Sequence, residues 1–176
     1  LIVTGSYLMF FKPEKPEIQL FYPDRIFVAA FENRTGDTSL DPIGRLVSDW
    51  TTQGILQNDL AEVIPTTTML QLIENRELIG GGLEGETKLI DLAKATHSGI
   101  LVSGLFYQIG EDIQFHARII DAEKNDVIVA LEPVRGTRNE PMKAINELQQ
   151  KIMGALAMHV FPGSNVRMVN DPPIYE

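Results

Sequence analysis

Apolar positions along the chain follow two periods, and the change from one to the other outlines the elements. Residues 25–31 run Arg-Ile-Phe-Val-Ala-Ala-Phe, a short apolar and partly β-branched stretch that predicts a buried strand. Glu32-Asn33-Arg34-Thr35-Gly36-Asp37 follows as a polar turn cluster. Asp41-Pro42 then predicts a helix start, with Asp41 capping free N–H groups and Pro42 fitting the first turn. Ile43, Leu46, Val47 and Trp50 recur at helical spacing and give this helix one apolar face. Trp50 is expected in the core and Gly54 at a point of close packing. Residues 60–64 predict a second short strand that Pro65 ends.

Farther on, residues 66–78 predict a short helix and Gly80-Gly81-Gly82 a flexible break. Residues 87–97 predict a second long helix, with Ser98-Gly99 stopping it. Residues 100–108 predict a strand and Gly110-Glu111-Asp112 a turn. In the next strand Ile113, Phe115, Ala117 and Ile119 share one face and Gln114, His116 and Arg118 the other, the alternation of a half-exposed antiparallel strand. Residues 123–126 turn into a third hairpin member over 127–131. Asn139-Glu140-Pro141 opens a long helix in which Met142, Ile145, Leu148, Ile152, Leu156 and Val160 repeat at three- and four-residue steps, and Pro162-Gly163 ends it. The order β-α-β-α-α-β-β-β-α predicts an α/β fold. It would be a single domain, a mixed sheet with antiparallel hairpins covered by one layer of helices, with extended N- and C-terminal segments. The expected boundaries are an apolar segment and linker over 1–24, the α/β domain over 25–161 and an extended tail over 162–176. No internal repeat is visible.

The two ends differ from this middle. Leu1-Ile2-Val3-Thr4-Gly5-Ser6-Tyr7-Leu8-Met9-Phe10-Phe11 contains no charge. As a helix it would span about 16 Å, roughly half a bilayer core. Tyr7, Phe10, Phe11 and Lys12 are residue types that gather at a membrane interface. Three readings stay open: the last turns of a transmembrane helix, a segment packed on this domain or a partner, or a short interfacial anchor. In each, Leu1, Ile2, Val3, Tyr7, Leu8, Met9, Phe10 and Phe11 are the anchoring residues for membrane or partner. Pro13, Pro16 and Pro23 make the following stretch an extended linker.

Composition narrows the function classes. The 176 residues are 44% hydrophobic and 22% charged, with a net charge of −9, which is globular rather than disordered. That charge argues against a nucleic-acid partner, because phosphate binding requires a positive field. The densest basic group is only Arg135, Arg138 and Lys143. There are no cysteines, so these residues supply no disulfide, cysteine-ligated zinc, iron–sulfur cluster, thiol nucleophile or lipidated cysteine.

Catalytic signals are weak. His97, His116 and His159 fall on different elements, and none has a partner at metal-ligand spacing. Gly80-Gly81-Gly82 lacks the Lys-Ser/Thr of a phosphate loop, Gly99 and Gly104 belong to a strand pattern, and no nucleophile-elbow motif occurs. Glu32, Asn33, Asp37 and Asp41 cluster where the first strand meets the first helix, a position at which α/β sheets often bind ligands. They form the candidate loop site. The alternative for the same residues is turn and cap chemistry. No cofactor or metal is expected, and no enzymatic activity.

Two separated motifs resemble one family. Residues 25–37, from Arg25-Ile26-Phe27-Val28 to Asn33-Arg34-Thr35-Gly36-Asp37, resemble the opening of the TolB N-terminal-like domain, a strand followed by a Phe-Glu-Asn and Gly-Asp turn. FlgO-like and CsgG-like periplasmic domains are related to it. Gly99-Ile100-Leu101-Val102-Ser103-Gly104 and Phe115-His116-Ala117-Arg118-Ile119-Ile120-Asp121-Ala122 resemble that family's later hairpin. The resemblance covers residues 25–135 and extends through the last helix. Ala29-Ala30 stands where Leu-Pro is usual, and Gly80-Gly81-Gly82 is an insertion. Pro172-Pro173-Ile174-Tyr175-Glu176 resembles the family's linker into helical repeats.

The resemblance implies a non-enzymatic, extracytoplasmic module following a membrane helix. The expected function is a membrane-extrinsic accessory or scaffold subunit of a larger bacterial assembly. Its partners would be membrane-complex subunits and, through the N-terminus, the bilayer. The alternative is a ligand-sensing domain of a shortened signalling receptor, acting through the 32–41 loop.

Overall fold

The computed structural model describes residues 22–64 and 85–162. The expected anchor residues Leu1, Ile2, Val3, Tyr7, Leu8, Met9, Phe10 and Phe11, the helix at 66–78, the triple-glycine break and the tail beyond Pro162 lie outside the described residues.

The fold is a mixed seven-stranded sheet with helices, as the α/β pattern implied. Its elements are β1 (Tyr22–Val28), β2 (Glu32–Asn33), a 3-10 turn (Thr38–Leu40), α1 (Asp41–Gln57), β3 (Glu62–Val63), α2 (Glu86–Ala95), β4 (Ser98–Ile109), β5 (Asp112–Asp121), β6 (Asp126–Ala130), β7 (Val134–Thr137) and α3 (Pro141–His159). The sheet runs β3-β1-β4-β5-β6, with β2 paired to β4 and β7 to β5. β1 is parallel to β3 and β4, and the β4-β5-β6 pairs are antiparallel. The parallel half comes from crossovers through helices and the antiparallel half from tight turns.

Alternation along the strands sends side chains to two cores. Ile26, Val28, Ile100, Val102, Phe106, Ile113, Phe115, Ala117 and Ile119 pack with Val47 and Ile55 of α1 and with Ile145, Leu148, Ile152 and Leu156 of α3. Phe106 and Phe115 stand directly opposite in register, with ring centroids 5.6 Å apart. Phe27, Ala29, Leu101, Ile120 and Ala122 point the other way and pack with Ile90, Leu92 and Ala93 of α2. The expectation of one helical layer therefore fails. α2 carries its own apolar face and seals the back of β1 and β4.

The α1–α3 seam has a polar stitch. The Trp50 Nε1–H donates to Asn146 Oδ1 at 2.6 Å, and Gln149 Nε2–H donates to the Trp50 carbonyl at 2.6 Å. Trp50 is thus half-buried at the edge of the core rather than inside it. Gly54 meets the end of Gln149, the close packing anticipated there.

Four boundaries differ from the sequence reading, each for a physical reason. β1 begins at Tyr22 and includes Pro23, because its register with β4 breaks between Tyr22 and Ile26 and asks no ladder N–H of Pro23. The main chain bends away after Val28, and Glu32–Asn33, expected as turn, pair with Leu105 and Phe106 of β4. α2 is ended by His97 in the left-handed conformation (φ 57°). Ser98 and Gly99 already belong to β4. A Cβ on Gly99 would stand 2.8 Å from both Pro23 Cα and the Tyr22 carbonyl oxygen, so Gly99 serves the approach of β1 to β4 rather than stopping the helix. β7 was not foreseen.

Candidate functional site

The loop from Glu32 to Asp41 joins the carboxyl end of β1 to α1 and is built around one side chain. Asn33 Oδ1 accepts from the Thr35 backbone N–H at 2.9 Å and from its hydroxyl at 2.7 Å, the geometry of an Asx turn. The Asn33 Nδ2 group donates to the Asp37 carbonyl at 2.8 Å and to Asp41 Oδ1 at 2.6 Å. The Thr35 hydroxyl oxygen in turn accepts from the Asp37 N–H at 3.1 Å. Gly36 takes the left-handed turn between them at φ 81°, where an L side chain is strained.

The acidic groups of the loop are all engaged. Glu32 holds Arg34 through both carboxylate oxygens, at 2.7 and 3.0 Å. Asp37 Oδ1 accepts from the Ser39 N–H at 2.9 Å and caps the 3-10 turn. Its Oδ2 accepts from Arg138 at 2.6 Å, across 101 residues of sequence. Hydrogen bonds from Ser39, side chain and then backbone, followed by Arg138, hold the Asp37 carboxyl below the usual carboxylate range. Asp41 was expected to cap α1. Instead Leu40 occupies the N-cap with no side-chain cap bond, and Asp41 accepts from Asn33.

The structure thus brings Glu32, Asn33, Asp37 and Asp41 into one loop, but as a closed network. Arg138, on the β7–α3 connection, is the member that sequence reading missed. Its only advance signal was membership of the small basic group with Arg135 and Lys143. Among the described residues no three His, Asp or Glu side chains converge as a metal-ligand set. The histidines occupy three separate places: the end of α2, the middle of β5 and the end of α3. This loop can hold the β1–α1 connection rigid and join it to the far end of the sheet.

No family model and no curated protein matches the chain. Solved structures do resemble it in fold. The lipoprotein GNA1162 from Neisseria meningitidis is 15% identical, with 77% of this chain and 97% of that one covered at a TM-score of 0.52. LpoB from Escherichia coli is 9% identical, with 64% and 56% covered at 0.50. TolB from Acinetobacter baumannii is 12% identical, with 76% and 28% covered at 0.49, a likeness too loose to build on. At such identities the first two establish a shared fold, and the TolB resemblance rests on the two sequence motifs. No helix among the described residues is long and apolar enough to cross a membrane.

Proposed function

We propose that the chain is a non-catalytic, membrane-extrinsic interaction module, an accessory or scaffold subunit of a bacterial membrane-associated assembly on the periplasmic face of the inner membrane. The observation that carries this reading is the fold match with a lipoprotein along 97% of that protein's length. Two features of the chain support it. The acidic loop closes on itself through Asn33, Ser39 and Arg138 instead of presenting reactive groups. The uncharged run from Leu1 to Phe11 would be covered by bilayer or partner, since apolar surface of that length is costly in water.

In this role residues 1–21 tether the α/β domain, and residues 163–176 contact neighbouring subunits. Ordering such ends costs conformational entropy that only contacts offset. The partners are protein subunits, with no nucleic acid and no cofactor. The alternative, a ligand-sensing receptor domain, requires available loop carboxylates. Glu32, Asp37 and Asp41 already serve Arg34, Arg138 and Asn33.

Deleting residues 1–20 leaves β1 whole and tests the tether. The shortened chain should float free of membranes in a density gradient while melting like the full chain. Unchanged membrane association would remove the anchor from this account.

A further inference from the structure

The sheet face turned away from α1 and α3 has two halves. α2 covers the first, over Phe27, Leu101 and Ile120. On the second, β4 carries Leu105, Tyr107 and Ile109 opposite His116, Gln114 and Asp112 of β5, and β7 sets Arg135 beside Gln114. Tyr107 and Ile109 are 38% and 54% exposed, so an apolar column along one strand lies open to solvent. Arg135 stands exposed beside it and Arg118, itself engaged, lies on the same face, while the exposed Asp112 sits opposite Ile109.

One of these arginines is held in place. Arg135 Nε donates to Gln114 Oε1 at 3.0 Å. Arginine is a donor at every accessible pH, so the Gln114 carbonyl oxygen must face it and the Gln114 NH2 must face His116 Nε2, 3.0 Å away. The His116 ring meets Tyr107 edge-on, with centroids 5.7 Å apart. The relay Arg135–Gln114–His116–Tyr107 fixes the guanidinium by its Nε and leaves the two terminal nitrogens, the pair suited to a carboxylate fork. Tyr107 lies two strand spacings from Arg135, about 10 Å.

We infer that this face docks an acidic segment of a partner protein, with a carboxylate on Arg135 and a large apolar side chain over Tyr107 and Ile109. This rests on the interaction-module reading and gives it a surface. Charge complementarity favours a protein segment over an anionic bilayer. A segment placed to pair with Arg135 meets its fork at contact distance, while Asp112, two positions along β5 from Gln114, lies at the Ile109 end, where the segment sets its apolar side chain. A bilayer surface would meet the field of the whole acidic chain.

The test places the photo-crosslinking residue p-benzoylphenylalanine at position 107 of the full chain, or at Met158 as a control, in cells that make it. Met158 is 70% exposed near the end of α3. The expected result is an adduct from position 107 to another protein, mapped to a peptide bearing Asp or Glu. It should fall at least tenfold with Arg135→Glu and return when the partner's acid is changed to Arg. The thermal melt of Arg135→Glu should match wild type, and Arg135→Gln gives the same reading should Glu disturb folding. An adduct to lipid, to a second copy of this chain, or to a protein indifferent to both substitutions overturns the inference. Protein adducts from position 158 alone overturn it while leaving the interaction module standing. No protein adduct from either position removes both.

Discussion

Replacing Asn33 should collapse the network between β1 and α1, and two replacements should do so unequally. Asn33→Ala removes four hydrogen bonds: two accepted from Thr35, and two donated to the Asp37 carbonyl and to Asp41. Asn33 is half-buried, so each bond sits at the low end of the usual net worth, about 0.5 kcal/mol, and the loss is about 2 kcal/mol. Asn33→Asp keeps both acceptor bonds but turns the donor into a second carboxylate beside Asp41, where 2.6 Å now separates donor from acceptor. Two charges about 4 Å apart repel by about 1 kcal/mol in water and about 4 kcal/mol near a protein surface. With Asn33 half-buried and Asp41 exposed, an intermediate repulsion of about 2 kcal/mol applies, on top of about 1 kcal/mol for the two lost donor bonds. Asn33→Asp should therefore cost about 3 kcal/mol, and adding Asp41→Asn should recover about 1 kcal/mol or more by making position 41 the donor. Urea unfolding monitored by circular dichroism reads all three, as midpoint shifts at constant slope. A cost below about 0.5 kcal/mol for Asn33→Ala would refute the hub role. So would an Asn33→Asp no worse than Ala and unrelieved by Asp41→Asn.

Three further outcomes are expected. Gly44→Ala and Gly54→Ala each gain helix propensity of about 1 kcal/mol, but they meet different obstacles. At Gly44 the new Cβ collides with the main-chain oxygen of Phe31, and at Gly54 with the movable end of Gln149. The first should lower the melting temperature by several degrees and the second by little; equal shifts would contradict the packing described. The depressed Asp37 carboxyl contributes stability that is fully present above about pH 4 and lost as pH falls through its lowered folded value. Melting curves of wild type and Asp37→Asn should therefore converge in acid, and a constant gap would dismiss the contact as a stabiliser. Nitrogen chemical shifts should find neutral His116 protonated on Nδ1, and an Nε2–H tautomer would break the relay from Arg135.

What could be read from the sequence was whatever leaves a periodic trace. The alternation of Ile113, Phe115, Ala117 and Ile119 against Gln114, His116 and Arg118 gave β5 its two faces, and the three- and four-residue steps of α3 gave the core its longest helix. β2 left no such trace. Glu32 and Asn33 are two polar residues whose partners, Leu105 and Phe106, lie more than seventy positions away. β7 follows Pro133 with four residues, too few for a period to show. The side of the sheet that α2 covers depends on the crossover, not on the composition of the helix. At the loop, the acidic cluster was legible, but its meaning was not. Arg138 reaches Asp37 only once β7 is in place, and that contact ties the loop to the β7–α3 connection.

The central claim, a subunit acting through contacts with other proteins, is tested most directly by solubilising native membranes in mild detergent, separating them by size and following this chain. The account predicts migration with a large assembly whose other members can then be identified. Migration as a free species of 19.6 kDa would contradict it.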